Sequence, residues 1–162
     1  MSQEVIRVYP DPVLREPNED VALFDDQLRS FVEEMKAIMY AYDGLGLAAP
    51  QIGVNRKVAV VGYEGREYVL INPVIVEAKG NQIGEEGCLS FPGLFERVSR
   101  PESVTVEFLD EQGQPQTLLA TGLLARAVAH EVDHLNGVLL IDKISPLRRT
   151  FAKKKFRRLQ EA

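Results

Sequence analysis

Both histidines of the 162-residue chain fall in one five-residue window, His130-Glu131-Val132-Asp133-His134, and the chain has a single cysteine, Cys88. In a helix, residues four apart lie one turn apart on one face, so the two imidazoles can reach a single divalent ion. Glu131 is the next residue round, placed to hold a water beside that ion and take its proton, which is the general-base position of an H-E-x-x-H motif. The competing reading is an ordinary helix with two histidines on its surface or in its core. In a histidine-rich chain that would win; here the concentration of both histidines in the motif favours a metal.

The third ligand decides the chemistry. Hydrolytic sites of this kind take three protein donors and leave a position open. In the longer zinc-protease pattern a third histidine follows the motif, but Leu140 stands at that position. A downstream glutamate would serve instead, yet the only one is Glu161, inside a basic tail. Cys88 is left, in the polar stretch Glu85-Glu86-Gly87-Cys88-Leu89-Ser90, read here as a turn about forty residues upstream. Alone it would be an inert buried thiol. Beside two histidines lacking a partner, it completes a three-donor set, and a thiolate admits softer ions: Fe(II), Co(II), Ni(II) or Zn(II).

The elements that must position these groups can be read from periodicity. Leu123, Leu124, Ala127 and Val128 lead into the motif helix, with Thr121 as its predicted cap and Asn136-Gly137 as its stop. From Asp25 to Tyr42, Leu28, Phe31, Val32, Met35, Ile38, Met39 and Tyr42 recur at three- and four-residue steps, the stripe of a core-packing helix. Asp43-Gly44 should end it, with Gly44 in the left-handed conformation. Next comes Gly44-Leu45-Gly46-Leu47-Ala48-Ala49-Pro50-Gln51-Ile52-Gly53, small residues where a backbone approaches something closely. It lacks the spacing of a phosphate loop. Gln51 offers an amide donor for an oxyanion; taken alone, the stretch would be a tight connector with a solvent-facing glutamine.

Short Val- and Ile-rich runs, Lys57 to Tyr63, Arg66 to Ile71 and Val74 to Ala78, are predicted strands, with a hairpin turn at Glu64-Gly65. Val104, Val106 and Phe108 alternate with Thr105 and Glu107, and Pro115 to Ala120 can pair back across a turn at Asp110 to Gly113. The expected fold class is α+β: antiparallel strands surrounding a central metal-binding helix, with N-terminal and C-terminal helices.

At this length one domain is the simplest organisation, burying roughly 70% of the surface of the unfolded chain. One cysteine excludes a disulfide framework and fits a reducing, cytoplasmic location. No apolar run reaches bilayer length, and Met1 to Tyr9 lacks a signal-peptide core, so no membrane partner is expected. The end of the chain differs in charge. Pro146 to Ala162 carries seven Lys and Arg against one acid, a local +6, leaving −11 on the rest of a chain whose total is −5. Ser145 and Pro146 start a helix there, with Leu147, Phe151, Phe156 and Leu159 available to dock one side of it. The tail is a candidate surface for RNA or a nucleoprotein, or simply a solvated amphipathic helix; DNA is not an expected partner.

Three of these stretches, Gly44 to Gln51, Glu86-Gly87-Cys88-Leu89-Ser90 and His130 to His134, resemble in order and spacing the three motifs of the peptide deformylase family. The opening, Val5 to Arg15, is similar to the start of that family, and the likeness covers roughly residues 4 to 147. It divides the chain into a catalytic domain, 1–147, and a basic C-terminal helical tail of the same domain, 148–162.

The resemblance implies removal of the formyl group from the N-terminal formyl-methionine of nascent polypeptides, with release of formate. It implies one divalent ion, typically Fe(II), with Zn, Ni or Co able to replace it, held by Cys88, His130 and His134. Glu131 would move the proton, and Gln51 with the backbone N–H of Leu89 would stabilise the oxyanion. The methionine pocket would involve Gly46, Glu86, Leu89, Leu123, Ala127 and His130, with Arg126 near its rim. Some members dock their C-terminal helix on the ribosome, which makes the ribosome a candidate partner of this tail. Two other classes remain: a metallopeptidase, distinguished by cleavage of internal amide bonds, and a non-catalytic metal-binding or RNA-binding module, which only the basic tail favours.

Overall fold

A computed structural model describes residues 5–161; Met1 to Glu4 and Ala162, the ends of the two predicted units, lie outside the described residues. Among the described residues three α-helices, α1 (Asp26–Ala41), α2 (Gly122–Leu135) and α3 (Pro146–Glu161), combine with seven strands. The strands are β1 (Gly46–Ala48), β2 (Val58–Tyr63), β3 (Arg66–Lys79), β4 (Gln82–Gly87), β5 (Phe95–Arg100), β6 (Ser103–Leu109) and β7 (Pro115–Thr121). Five form an antiparallel sheet in the order β1-β2-β3-β6-β7, while β4 and β5 make a separate antiparallel pair. The α+β class predicted from the sequence is the observed one.

Strand β2 explains why its sequence shows a continuous apolar run rather than alternation. Val58, Ala59, Val60 and Val61 are all buried, because helices cover both faces. Ala59 and Val61 join Leu124, Ala125, Val128, Val132 and Leu135 of α2 in one core. Val58 and Val60 meet Leu28, Val32, Met35 and Met39 of α1 in a second. Helix α2 is buried nearly all round, with only Gly122, Leu123 and Asp133 outside its buried set, as its mostly apolar and small residues require of a central helix.

Several details depart from the sequence reading. The Asp25 side chain caps α1, accepting from the Leu28 N–H at 3.0 Å, and Asp43, not Gly44, takes the left-handed conformation after the helix (φ 57°). Asp tolerates that region because its short polar side chain bonds locally. The runs Arg66 to Ile71 and Val74 to Ala78 are one strand, β3, with register shifts between Ile71 and Val74 and again between Ile75 and Glu77. Glu85, Glu86 and Gly87 belong to β4 rather than to a turn, and only Cys88 onwards leaves the strand. Thr121 sits at the N-cap position of α2 but makes no side-chain capping bond; the Gly122 N–H donates instead to the Glu102 carbonyl at 2.9 Å.

Helix α3 starts as expected, the Ser145 hydroxyl accepting from the Arg148 N–H at 3.2 Å. Of its four apolar residues only Phe156 is buried, together with Ala152. Leu147 and Phe151 are 66% and 61% exposed and Leu159 is 40% exposed. The docked side is therefore narrower than the sequence implied. Phe156 meets Phe91 edge-on at 5.3 Å, and Phe91 stacks on Tyr9 at 4.9 Å, fixing α3 to the loop beyond Cys88 and to the start of the chain.

Candidate active site

The motif helix α2 delivers its two histidines buried and side by side, with Nε2 of His130 and Nε2 of His134 3.2 Å apart. The loop after β4 brings Cys88 to them, its Sγ 3.3 Å from His134 Nε2. All three donor atoms lie within 4.8 Å of one another. That spacing is what one small ion with bonds of roughly 2.0–2.3 Å to sulfur and nitrogen imposes on its ligands. The donor set is also chemically complete: one soft thiolate and two imidazoles suit Fe(II), Co(II), Ni(II) or Zn(II). Buried beside them, Glu131 Oε1 has no hydrogen-bond partner among the described groups, a position calling for a donor such as water.

What orients His130 is a carboxylate from β4. Glu86 Oε2 lies 2.6 Å from His130 Nδ1, an arrangement that puts the proton on Nδ1 and leaves Nε2 free to ligate. The Glu86 carboxylate is in turn held by Arg100 from β5, with Nη2 donating at 2.6 Å and Nε at 3.1 Å, and by Arg126 Nη1 at 2.9 Å. Burial alone would push its pKa up, but the hydrogen bonds from His130 and Arg100 outweigh it and hold the carboxyl far below the usual range. Glu86 lines the cleft, and both its oxygens are engaged in this network. Arg126 is buried against Glu86 and the Val98 carbonyl rather than sitting near a rim.

Glu131 has the opposite environment. Burial pushes its carboxyl up to about 7, although neighbouring His130 pulls it down, and a carboxylate poised near neutrality suits proton transfer. For His134, burial and the nearby His130 and Arg100 favour the neutral ring. For His130, burial acts in the same direction, but the negative charge of Cys88, Glu86 and Glu131 outweighs it and raises the pKa well above the ordinary value.

Gln51 sits in a short helical turn, Ala49–Ile52, after β1. Its Oε1 accepts from the Ala48 N–H at 2.9 Å, so its NH₂ is turned towards Cys88 Sγ (3.6 Å) and Ser90 Oγ (3.2 Å). The amide is thus fixed as a donor facing the donor cluster. The segment from Arg7 to Tyr9 braces both motif loops: the Arg7 N–H donates to the Gln51 carbonyl at 2.7 Å and the Tyr9 N–H to that of Ser90 at 2.9 Å.

A cleft of about 770 Å³ opens in front of this cluster, with Gly46, Gln51, Glu86, Cys88, Leu89, Leu123, Arg126, Ala127, His130 and Glu131 in its walls. Of the sequence-predicted site residues only His134 lies behind the lining, as the most deeply buried ligand candidate. The reading of the sequence missed Arg100 and passed over Asp133, which lies 2.5 Å from Arg100 Nη1. The available signal was alternation: Val98 and Arg100 occupy the inward positions of β5, and an arginine at an inward position needs a buried acid.

A model of the polypeptide deformylase family matches residues 3–150. The chain belongs to the polypeptide deformylase family. A peptide deformylase of Thermodesulfovibrio yellowstonii is 47% identical over 157 residues, which is 94% of this chain and 95% of the relative. One of Brucella suis is 43% identical, covering 98% and 94%. Among solved structures, a peptide deformylase from Legionella pneumophila superposes with a TM-score of 0.91 at 42% identity, covering 96% of this chain and 94% of that one. One from Synechococcus elongatus in complex with actinonin gives 0.88 at 44%, covering 93% and 85%. Peptide deformylases are metal-dependent hydrolases, and the chain is an enzyme of this kind, removing the N-formyl group from nascent peptides. No described helix is long and apolar enough to cross a membrane.

Proposed function

We propose that Cys88, His130 and His134 hold the ion, and that the formamide bond of an N-formyl-methionyl peptide is hydrolysed in front of them to formate and a free amine. The observation carrying this reading is the convergence of the only thiol and both imidazoles within 4.8 Å, on a cleft that Glu131 and Gln51 also face. A divalent ion bound there supplies Lewis acidity and lowers the pKa of water. Glu131 takes the proton of the attacking water and delivers it to the leaving nitrogen, help worth on the order of 10²–10⁴ in rate. Gln51 Nε2 and the Leu89 N–H donate to the oxyanion that forms on the formyl carbon, each worth ~10²-fold or more.

Gly46, Leu123, Ala127, His130 and the buried Glu86–Arg126 pair form the wall against which the methionine side chain packs. Burying that chain is worth roughly 1.5–3 kcal/mol. The formyl hydrogen is small, and an acetyl methyl in its place would crowd the Gly46 backbone. Fe(II) is the ion we assign, with Zn, Ni or Co accepted by the same donors. A cytoplasmic setting suits a free thiolate ligand. The basic helix α3, with Leu147 and Phe151 exposed beside its Lys and Arg, is the surface we assign to ribosome docking.

The test of the reaction is formate release from a formyl-Met tripeptide by protein purified without oxygen, with the acetyl-Met peptide alongside. Rapid release from the formyl peptide alone is expected; no release from metal-loaded protein, or cleavage of internal bonds in an unformylated peptide, would overturn the reading. For the tail, deletion of residues 148–162 should abolish co-sedimentation with ribosomes, and unchanged co-sedimentation would remove that assignment.

A further inference from the structure

We propose that Arg100 is a positioning residue for the metal centre, its buried guanidinium clamping together the carboxylate that orients His130 and the Asp133 carboxylate of the same helix. The proposal rests on the reading that Cys88, His130 and His134 hold the ion, and adds a residue outside all three sequence motifs. Arg100 ends β5 with only 3% of its surface exposed. It spends three donor contacts on the site, Nε and Nη2 reaching the two oxygens of Glu86 and Nη1 reaching Asp133 Oδ2 at 2.5 Å, and its Nη2 lies beside the His130 ring, 3.4 Å from Nδ1.

The geometry separates its role from that of Arg126, the other cation on Glu86. Arg126 touches one Glu86 oxygen and the Val98 carbonyl through Nη1. Arg126, itself on α2, therefore anchors the carboxylate at a single point, whereas Arg100 holds both oxygens from β5 and also grips Asp133 of α2, so it sets the orientation of Glu86 towards His130. Among the described residues the only other cation near Asp133 is Lys143, 4.0 Å away. Two carboxylates on different elements need a planar fork, which arginine has and lysine lacks. The partner of a ligating imidazole sets both its tautomer and its orientation, and loosening such a partner typically weakens metal binding by about 10- to 100-fold.

A merely structural Arg100 would glue β5 to α2 without affecting the ion. The full chain should therefore be loaded anaerobically with Co(II), and the rate of Co(II) loss to a chelator and the visible absorption bands compared for the wild type, Arg100→Lys, Arg100→Met and Asp133→Asn, with circular dichroism recorded on each. We expect one Co(II) per wild-type chain, loss about 10- to 100-fold faster with shifted bands in both Arg100 variants at an unchanged dichroism spectrum, and a smaller acceleration in Asp133→Asn, which keeps the Glu86 fork. If Arg100→Met does not fold, Arg100→Lys and Asp133→Asn decide: wild-type rates and bands in both would overturn the proposal while leaving the metal reading intact. A wild-type chain that binds no Co(II) would overturn the metal reading and this proposal with it.

Discussion

Gly46 and Glu131 are packed so closely that a Cβ on the glycine would lie 2.5 Å from the glutamate Oε2 and 2.9 Å from its Cγ. The absent side chain on β1 is thus what leaves room for the carboxylate on α2. A Gly46→Ala change must push Glu131 away from the donor cluster or spread β1 from α2. We expect kcat to fall by about 10²-fold or more, the scale of misplaced general-base catalysis, with the ion still bound. Steady-state kinetics and metal analysis of the variant check this; unchanged kcat would mean that Glu131 has slack the packing does not show.

Cys88→Ser should lose or exchange its ion, because a hydroxyl is a poor replacement for a soft thiolate. The thiol is the only one in the chain, so no second sulfur can substitute. Metal analysis after dialysis is the measurement, and stoichiometric Fe(II) with normal turnover in the variant would exclude thiolate ligation.

Acid should weaken the joint between the start of the chain and the segment after α2. The Asp142 carboxylate accepts two bonds from Arg15, at 2.6 and 3.1 Å, and one from the Leu139 N–H at 2.8 Å. Burial acts to raise its pKa, but these bonds outweigh it and hold it below the ordinary 3.8. A carboxyl depressed in the folded state stabilises fully above its unfolded value and loses that contribution as pH falls through its folded value. Asp142→Asn should therefore cost about 1 kcal/mol near neutrality, and the gap to the wild type should close as pH drops below 3.8. Denaturant unfolding at several pH values reads this; a gap independent of pH would show that the charge is not what stabilises the joint.

Much of this architecture was legible because its signals are local. The stripe of α1, the alternation in β6 and the spacing of His130 and His134 each follow from one element's periodicity. What escaped depends on contacts between elements. The β4–β5 pair is rich in Gly and Glu, residues depleted in strands, and is joined to α2 through the salt bridges of Glu86 with Arg126 and of Arg100 with Asp133. Strand β3 runs through Asn72-Pro73, where proline would ordinarily end a strand. It continues because Asn72, at φ 52°, turns its side chain to Val21, accepting from the N–H at 2.9 Å and donating to the carbonyl at 3.0 Å, while a register shift absorbs the proline. Helix α3 buries only Ala152 and Phe156, because one narrow line of the helix meets the core formed by Phe91, Leu94 and Leu139 to Ile141.

The division of labour within the motif is the centre of this reading, and Glu131→Gln separates its two halves. The variant keeps the three donors and nearly the same volume while removing the group that carries the proton. Metal content and single-turnover formate release should be measured on the same anaerobic preparation. One ion per chain, with formate release slowed by about 10²–10⁴, is the expected pair of results. Loss of the ion would make Glu131 a ligand, and full-rate release with the ion bound would show that the proton travels another way.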